Sequence, residues 1–341
     1  MVLKTFSLKS DGDSVEPLLR IKNLSVGYKT HEGVTKVLDN VNMYVYRGEK
    51  VGLIGESGAG KTTLLNTILR ILPPNARVFR GEIVFNGVDL LRAKKNVLDD
   101  IRRSRIGIIF QDPMSALNPF FKVRDQLYDA LRYSKFLDKN KKVDEKVLKE
   151  TSLKMLKEVA LPDAERVLDS FPFQLSGGMR QRVCIALALT RANDLLLADE
   201  PTTNLDVTIQ EQILNLLRDL VNKRKLAVIL VTHALGMLKG FVDRIYVIYA
   251  GQIVEVANTN KLFSNPQHPY TRFLLESAPR LTGEWRAKEL PERIINYINP
   301  PKGCRFSVRC PYATDRCKTE KPQMIEISSG HFARCWLLRK V

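Results

Sequence analysis

No apolar stretch in this 341-residue chain approaches the roughly 20 residues needed to cross a bilayer. Met1 to Val15 mixes Lys4, Lys9, Asp11 and Asp13 and has no apolar segment of the secretory-signal type. The expectation is a cytosolic protein, or one docked on a membrane from its cytosolic face. Internal repeats and long low-complexity linkers are missing too. Acidic residues run short, 37 against 54 basic ones, for a net charge of +17. Such an excess suits a polyanion partner (nucleic acid, an anionic leaflet or a nucleotide) or simply a solvated basic surface. Cysteine is scarce, with five residues, and no C-x₂₋₄-C pair occurs. What remains, 44% hydrophobic and 27% charged, is ordinary for one large or two modest globular domains.

Elements alternate between strand and helix patterns. Leu18 to Val26 reads as a strand ending near Gly27-Tyr28, and Val51 to Ile54 as a short apolar strand. A helix from about Lys61 carries Leu64, Leu65, Ile68 and Leu69 on one stripe, and Pro73-Pro74 is expected to end it. Gly81 to Val88 and Ile106 to Phe110 read as further strands. From Asp112 to about Ser170 the pattern is helical and strongly charged, especially over Lys135 to Lys154, which predicts a helical insertion in an α/β core. Strands resume at Leu195 to Ala198, Ala227 to Val231 and Ile245 to Tyr249, with a hairpin back through Gln252 to Val256. After about Asn265, Pro, Arg and Cys become denser, marking a C-terminal appendage.

Three stretches carry chemistry. Gly55-Glu56-Ser57-Gly58-Ala59-Gly60-Lys61-Thr62 fits the phosphate-loop pattern and lies between a strand and a helix, the context such a loop requires. Its glycines let backbone N–H groups turn toward phosphates, Lys61 supplies a point charge, and Thr62 can ligate Mg²⁺. Asp199 and Glu200 end an apolar strand, so their carboxylates face the ligand crevice. Asp199 is expected to hold the metal and Glu200 to orient the attacking water. Ser176-Gly177-Gly178 opens the helix Met179 to Arg191 and could take a second anion. Standing alone, it would read as an ordinary Ser-capped helix.

In this order the motifs resemble those of the ATP-binding subunit of an ABC transporter. The resemblance implies an α/β P-loop ABC ATPase with a RecA-like core, an antiparallel β subdomain, an inserted helical subdomain at about 112–192 and a Cys-rich C-terminal appendage. The implied division is an extension over 1–16, an ATPase domain over 17–264 and a C-terminal region over 265–341. It implies nucleotide contacts from Tyr28 (adenine stacking), Gly55, Ser57, Gly58, Ala59, Gly60, Lys61, Thr62 and Thr63. Gln111 resembles the Q-loop glutamine that senses metal and contacts the membrane subunit. Thr62, Gln111 and Asp199 would then serve Mg²⁺, and Glu200, His233 and Gln111 would serve catalysis. Ser176, Gly177, Gly178 and Gln181 would act on nucleotide held by a second subunit, and Asp206 belongs to the D-loop. Two departures stand out: Ala234 replaces a common acidic residue after His233, and Ala59 a frequent serine in the phosphate loop.

Phe110 to Pro119 (FQDPMSALNP) and Asn265 to Thr271 (NPQHPYT) resemble the dipeptide and oligopeptide importers more narrowly. The implied partners are a second, different ATPase chain, two permease subunits and, indirectly, an extracellular binding protein, with the chain on the cytoplasmic face of the membrane. Cargo could equally be an oligosaccharide or nickel. A rival reading is an ABC-type ATPase acting on nucleic acid, although no long coiled-coil insertion separates the phosphate loop from Ser176.

Cys304, Cys310, Cys317 and Cys335 fall near the end of the chain, separated by five, six and seventeen residues. In a cytosolic protein this points to a metal rather than disulfides. A cluster taking one thiolate from each of four turns, a structural zinc site and a metal-free tail all remain open. The resemblance implies a [4Fe–4S] cluster. Arg305, Arg309, Arg316 and Arg334 flank these cysteines and are expected to favour thiolates. Phe306, Val308, Phe332 and Trp336 look like a small apolar core for the tail. Cys184, among Val183, Ile185 and Leu187, reads as core packing.

Overall fold

The computed structural model describes residues 16–134, 144–233, 235–277 and 296–338. The extension before Glu16, the start of the Lys135–Lys154 charge run and Ala234 lie outside the described residues. The chain forms two compact units. One holds residues up to Tyr46, Val51–Leu91 and His233–Val341; the other holds Arg47–Lys50 and Arg92–Thr232.

In the first unit, strands Leu19–Thr30 and Gly33–Val45 form an antiparallel pair, and Ala76–Phe85 pairs with the other edge of the first strand. The first strand therefore runs past Gly27-Tyr28, where the sequence suggested an end. Its partner strand had no clean alternation to announce it, because the register between the two shifts three times. Those shifts put Tyr28 opposite both Thr35 and Ala76. A second sheet in this unit runs Ile325–Ser328, His331–Ala333, Gln252–Asn258, Arg244–Tyr249, Lys50–Ile54. The strand feeding the phosphate loop is parallel to Arg244–Tyr249, and the Cys-rich region adds two strands to the far edge. Val51, Leu53 and Ile54 are fully buried, as a parallel strand covered on both faces requires. Helix Lys61–Leu69 follows the loop. Arg70 stops it in a left-handed conformation (φ 51°), three residues before the prolines expected to do so.

The second unit holds parallel strands Ile106–Ile109, Leu195–Asp199 and Ala227–Val231, the last two buried at every residue. Helices Val123–Tyr133, Glu145–Glu158, Ala164–Asp169 and Gly177–Leu189 occupy the stretch read as helical, and Val207–Arg224 follows the second strand. Ser176 caps the helix Gly177–Leu189, its Oγ accepting from the Met179 amide at 3.3 Å. That helix starts two residues earlier than expected, because both glycines already have helical backbone.

Candidate nucleotide and cysteine sites

The phosphate loop is built for close backbone approach. A Cβ on Gly55 would lie 2.2 Å from the Ile248 carbonyl oxygen, and one on Gly60 would lie 2.7 Å from Leu38 Cδ2. Only glycine lets the loop sit this tightly against the strand beside it. Lys61 is buried, with its Nζ donating to the carbonyls of Gly55 (2.8 Å) and Glu56 (2.9 Å). The ammonium is thus held across the cradle whose N–H groups a phosphate would fill. Ser57, Gly58 and Thr62 are exposed. The half-buried Tyr28 shares a hydrogen bond with Thr63 through its hydroxyl (3.0 Å), which fixes the ring over the start of the helix. His233 is exposed, two residues beyond the end of Ala227–Val231.

Unit two brings its own motif residues together. Asp199 closes the buried strand at 4% exposure, and Glu200 follows in a left-handed conformation (φ 46°) that swings its side chain out of the strand direction. Glu200 Oε2 accepts from Gln111 Nε2 at 3.0 Å and from Thr203 Oγ1 at 3.1 Å. Two donors on one oxygen orient this carboxylate. The two glycines after Ser176 have close neighbours: a Cβ on Gly177 would meet Leu205 Cδ2 at 3.2 Å, and one on Gly178 would meet Ile209 Cγ2 at 3.0 Å. Leu205 and, from the helix Val207–Arg224, Ile209 therefore pack directly against them. Ser176 and Asp206 are exposed, while Gln181 is buried.

The four late cysteines line a single cavity together with His268, Phe306 and Trp336. Three receive a backbone N–H two residues ahead: Phe306 toward Cys304, Tyr312 toward Cys310 and Leu337 toward Cys335. Thr314 Oγ1 lies 3.4 Å from Cys317 Sγ. Among the described residues, no three His, Cys, Asp or Glu side chains are grouped as a single metal ion would need. At Cys304, Cys310 and Cys335 burial outweighs the flanking arginines, although Arg334 and Cys304 do attract each other. Burial pushes Cys304 up to about 12 and Cys335 up to about 11, with the neighbouring cysteines adding to the effect. The reason is where the guanidinium groups go. Arg305 donates to the carbonyls of Lys36 and Ala250, Arg309 pairs with Glu56, and Arg316 pairs with Glu320 and stacks on Trp336. Phe306 is buried against Tyr249 and Tyr270, but Val308 is exposed and no part of a core. Cys184 is buried and pushed up to about 12, as a packing residue should be.

Several residues at these sites had no signature of their own. Glu255, fully buried, accepts from the amides of Gln267 (2.8 Å) and His268 (2.7 Å) and contacts His331 Nε2 at 2.7 Å. Burial alone would raise its pKa, but the His331 contact and the two amides outweigh it and hold it low. The Asn265–Thr271 motif thus encodes a turn wrapped on a carboxylate. The visible signal was Gln267-His268-Pro269, but the acceptor lay elsewhere in the chain.

A model of the ABC transporter family matches residues 38–203, and one of the oligopeptide/dipeptide transporter C-terminal region matches 254–317. The oligopeptide transport ATP-binding protein OppD of Bacillus subtilis is 40% identical over 95% of this chain and 90% of its own length. The dipeptide transport ATP-binding protein DppD of the same organism is 41% identical over 95% of each. Among solved structures, the dimeric ATP-binding cassette MJ0796 in a post-hydrolysis state with ADP and Pi superposes at a TM-score of 0.62 and 30% identity, covering 71% of this chain and 98% of that one. With a phosphate loop, an oriented Glu200 and a glycine-opened helix in place, the chain belongs to the ABC transporter ATP-binding proteins, in the branch that carries the oligopeptide/dipeptide transporter C-terminal region.

Proposed function

We propose that this chain hydrolyses ATP to drive import of di- or oligopeptides through paired permease subunits. Lys61 and the loop amides take the β- and γ-phosphates, Tyr28 stacks on adenine, and Thr62, Asp199 and Gln111 are the residues that would serve Mg²⁺. The metal, when bound, offsets phosphate charge. Glu200 orients water and polarises it, with Gln111 and Thr203 keeping its carboxylate aimed, and His233 contacts the γ-phosphate. The Ser176-Gly177-Gly178 turn, with Ser176 exposed, serves nucleotide on a second, related ATPase subunit, together with Gln181 and Asp206. Carrying the reading is one observation: the chain holds both a complete phosphate cradle and a separate glycine-opened helix start backed by Leu205 and Ile209. A single bound triphosphate needs only one such site.

The reported relatives are peptide-transport proteins, which favours peptide cargo over sugar, nickel or nucleic acid. A place on the cytoplasmic face of the membrane is supported by Phe110, Met114, Phe120 and Phe121, all exposed around the Gln111 segment. Among the described residues no helix is long and apolar enough to cross a membrane. Glu200→Gln should trap bound ATP and a stable pair of ATPase subunits; unaltered steady-state hydrolysis would refute the role of Glu200.

For the cysteines, the reading is a [4Fe–4S] cluster held by Cys304, Cys310, Cys317 and Cys335. Four thiols around one cavity, three of them receiving backbone N–H groups, suit a group whose sulfur ligands stand apart at its corners and accept hydrogen bonds. The lack of a C-x₂₋₄-C pair suits a single zinc ion poorly. When bound, such a group would supply redox or stapling chemistry to the tail, in a cavity also lined by Phe306 and Trp336. Anaerobic protein lacking iron and acid-labile sulfide would rule this out.

A further inference from the structure

The C-terminal region reaches the phosphate loop at three points. Arg309, one residue before Cys310, makes a two-pronged pair with Glu56 inside the loop, Nη1 to Oε2 at 2.6 Å and Nη2 to Oε1 at 3.1 Å. The Glu56 amide donates to the Tyr270 hydroxyl at 2.8 Å, and the Tyr297 hydroxyl donates to the Gly58 carbonyl at 2.7 Å. None of these contacts is isolated. Tyr270 is fully buried, 4.6 Å from Tyr249 and 5.5 Å from Phe306 between ring centroids, and the Arg309 guanidinium lies over the Tyr249 ring. The Tyr297 carbonyl also accepts from the Lys36 amide at 2.8 Å, pinning that turn to the strand Gly33–Val45.

Glu56 poses a problem that these contacts solve. It places a carboxylate in the loop that must receive a tetra-anionic triphosphate. Unpaired, it would oppose the ligand by like-charge repulsion. Arg309 neutralises it with a planar fork and turns it toward the C-terminal region. Tyr270 and Tyr297 meanwhile fix a backbone N–H at one end of the loop and a carbonyl at its tip. Leaving the loop's other N–H groups for phosphate requires that these peptide planes keep their orientation.

We propose that Arg309, Tyr270 and Tyr297 are positioning residues for the phosphate loop, so that the C-terminal region sets the affinity for nucleotide by shaping the loop and cancelling the charge of Glu56. This rests on the loop being the ATP site. The test measures binding of a ribose-labelled fluorescent ATP with Mg²⁺ to full-length protein, alongside steady-state KM and kcat. Arg309→Met should weaken binding about tenfold and raise KM similarly while kcat stays within about twofold. Adding Glu56→Gln to that variant should recover most of the loss, because the unpaired charge is gone; a merely structural role for Arg309 predicts no such rescue. Tyr297→Phe, which removes one hydroxyl, should weaken binding about threefold.

Wild-type affinity in both Arg309→Met and Tyr297→Phe would overturn the proposal, as would failure of Glu56→Gln to rescue a folded Arg309→Met. Should Arg309→Met fail to fold, Tyr297→Phe decides: weakened binding sustains the proposal and unchanged binding sinks it. Lys61→Ala separates this from the ATP-site reading. If wild type and Lys61→Ala bind the probe alike, it is the site assignment that falls.

Discussion

Acid should loosen the turn around Glu255 before it affects the rest of the first unit. His268 is completely buried, and burial holds its pKa down from the ordinary 6.5 to about 4, against the pull of Glu255 and with the help of Arg334 and Arg272. The folded state therefore keeps His268 neutral over a range in which the unfolded chain takes up a proton. Stability rises with pH wherever the unfolded state binds more protons, so this contribution is whole above about pH 6.5 and is lost as pH falls toward 4. The gap corresponds to about 3 kcal/mol in full, of which about 2 kcal/mol is already lost at pH 5. Glu255, whose own pKa is held low, loses its contribution only at more acid pH, through and below the ordinary carboxylate range. The assay is hydrogen exchange of the segment 252–277, corrected for intrinsic rates, at pH 7.5, 6 and 5. The comparison is His268→Asn, whose side-chain oxygen can still accept from the Tyr270 amide as Nδ1 does at 3.1 Å. Wild type should lose about 2 kcal/mol of opening free energy between pH 7.5 and 5 that the variant keeps. Parallel pH profiles for the two proteins would refute the assignment of the neutral, buried state to His268.

Gln111→Leu preserves volume but removes one of the two donors on Glu200 Oε2; turnover should fall about tenfold with nucleotide affinity unchanged, measured as kcat against the Kd for a fluorescent ATP. Gly55→Ala forces a methyl to within 2.2 Å of a backbone oxygen that no rotamer change can move; it should cost about 1–3 kcal/mol of stability in urea titrations and at least tenfold in nucleotide affinity. Phe120→Asp with Phe121→Asp changes the most exposed aromatic pair of the second unit; co-purification with permease subunits should fall sharply while ATPase activity of the free chain holds.

What the sequence disclosed was whatever is local. The phosphate loop is legible because strand, glycines, lysine and helix fall within about twenty consecutive residues, each constraining the next. Asp199 and Glu200 are legible for the same reason, as carboxylates capping a run of buried aliphatics. Arg70 was not: nothing in its side chain says that it, rather than Pro73-Pro74, turns left-handed and stops the helix. Nor was the strand Gly33–Val45, whose apolar residues drift between faces as the register shifts. Glu255, Tyr270 and Arg309 were invisible because their partners lie 12 to 253 residues away, and pairing at that distance leaves no periodic trace.

The basic charge of the tail shows how composition misleads when pairing is unknown. From Arg280 to Val341 there are 13 basic and 6 acidic residues, so this stretch supplies +7 of the net +17. Taken as surface, that is a patch for a polyanion. In the fold, Arg305 is 2% exposed and satisfies the carbonyls of Lys36 and Ala250 while lying 3.6 Å from Asp39; Lys321 also reaches Asp39, at 2.8 Å. Burial would raise the Asp39 carboxyl, yet these two cations and Gln252 hold it low. Arg309 is turned onto Glu56 and Arg316 onto Glu320 and Trp336. These cations therefore act on carboxylates and carbonyls of their own unit. Among these described cations, Arg309 would act on a bound triphosphate only indirectly, by pairing with the Glu56 carboxylate of the phosphate loop.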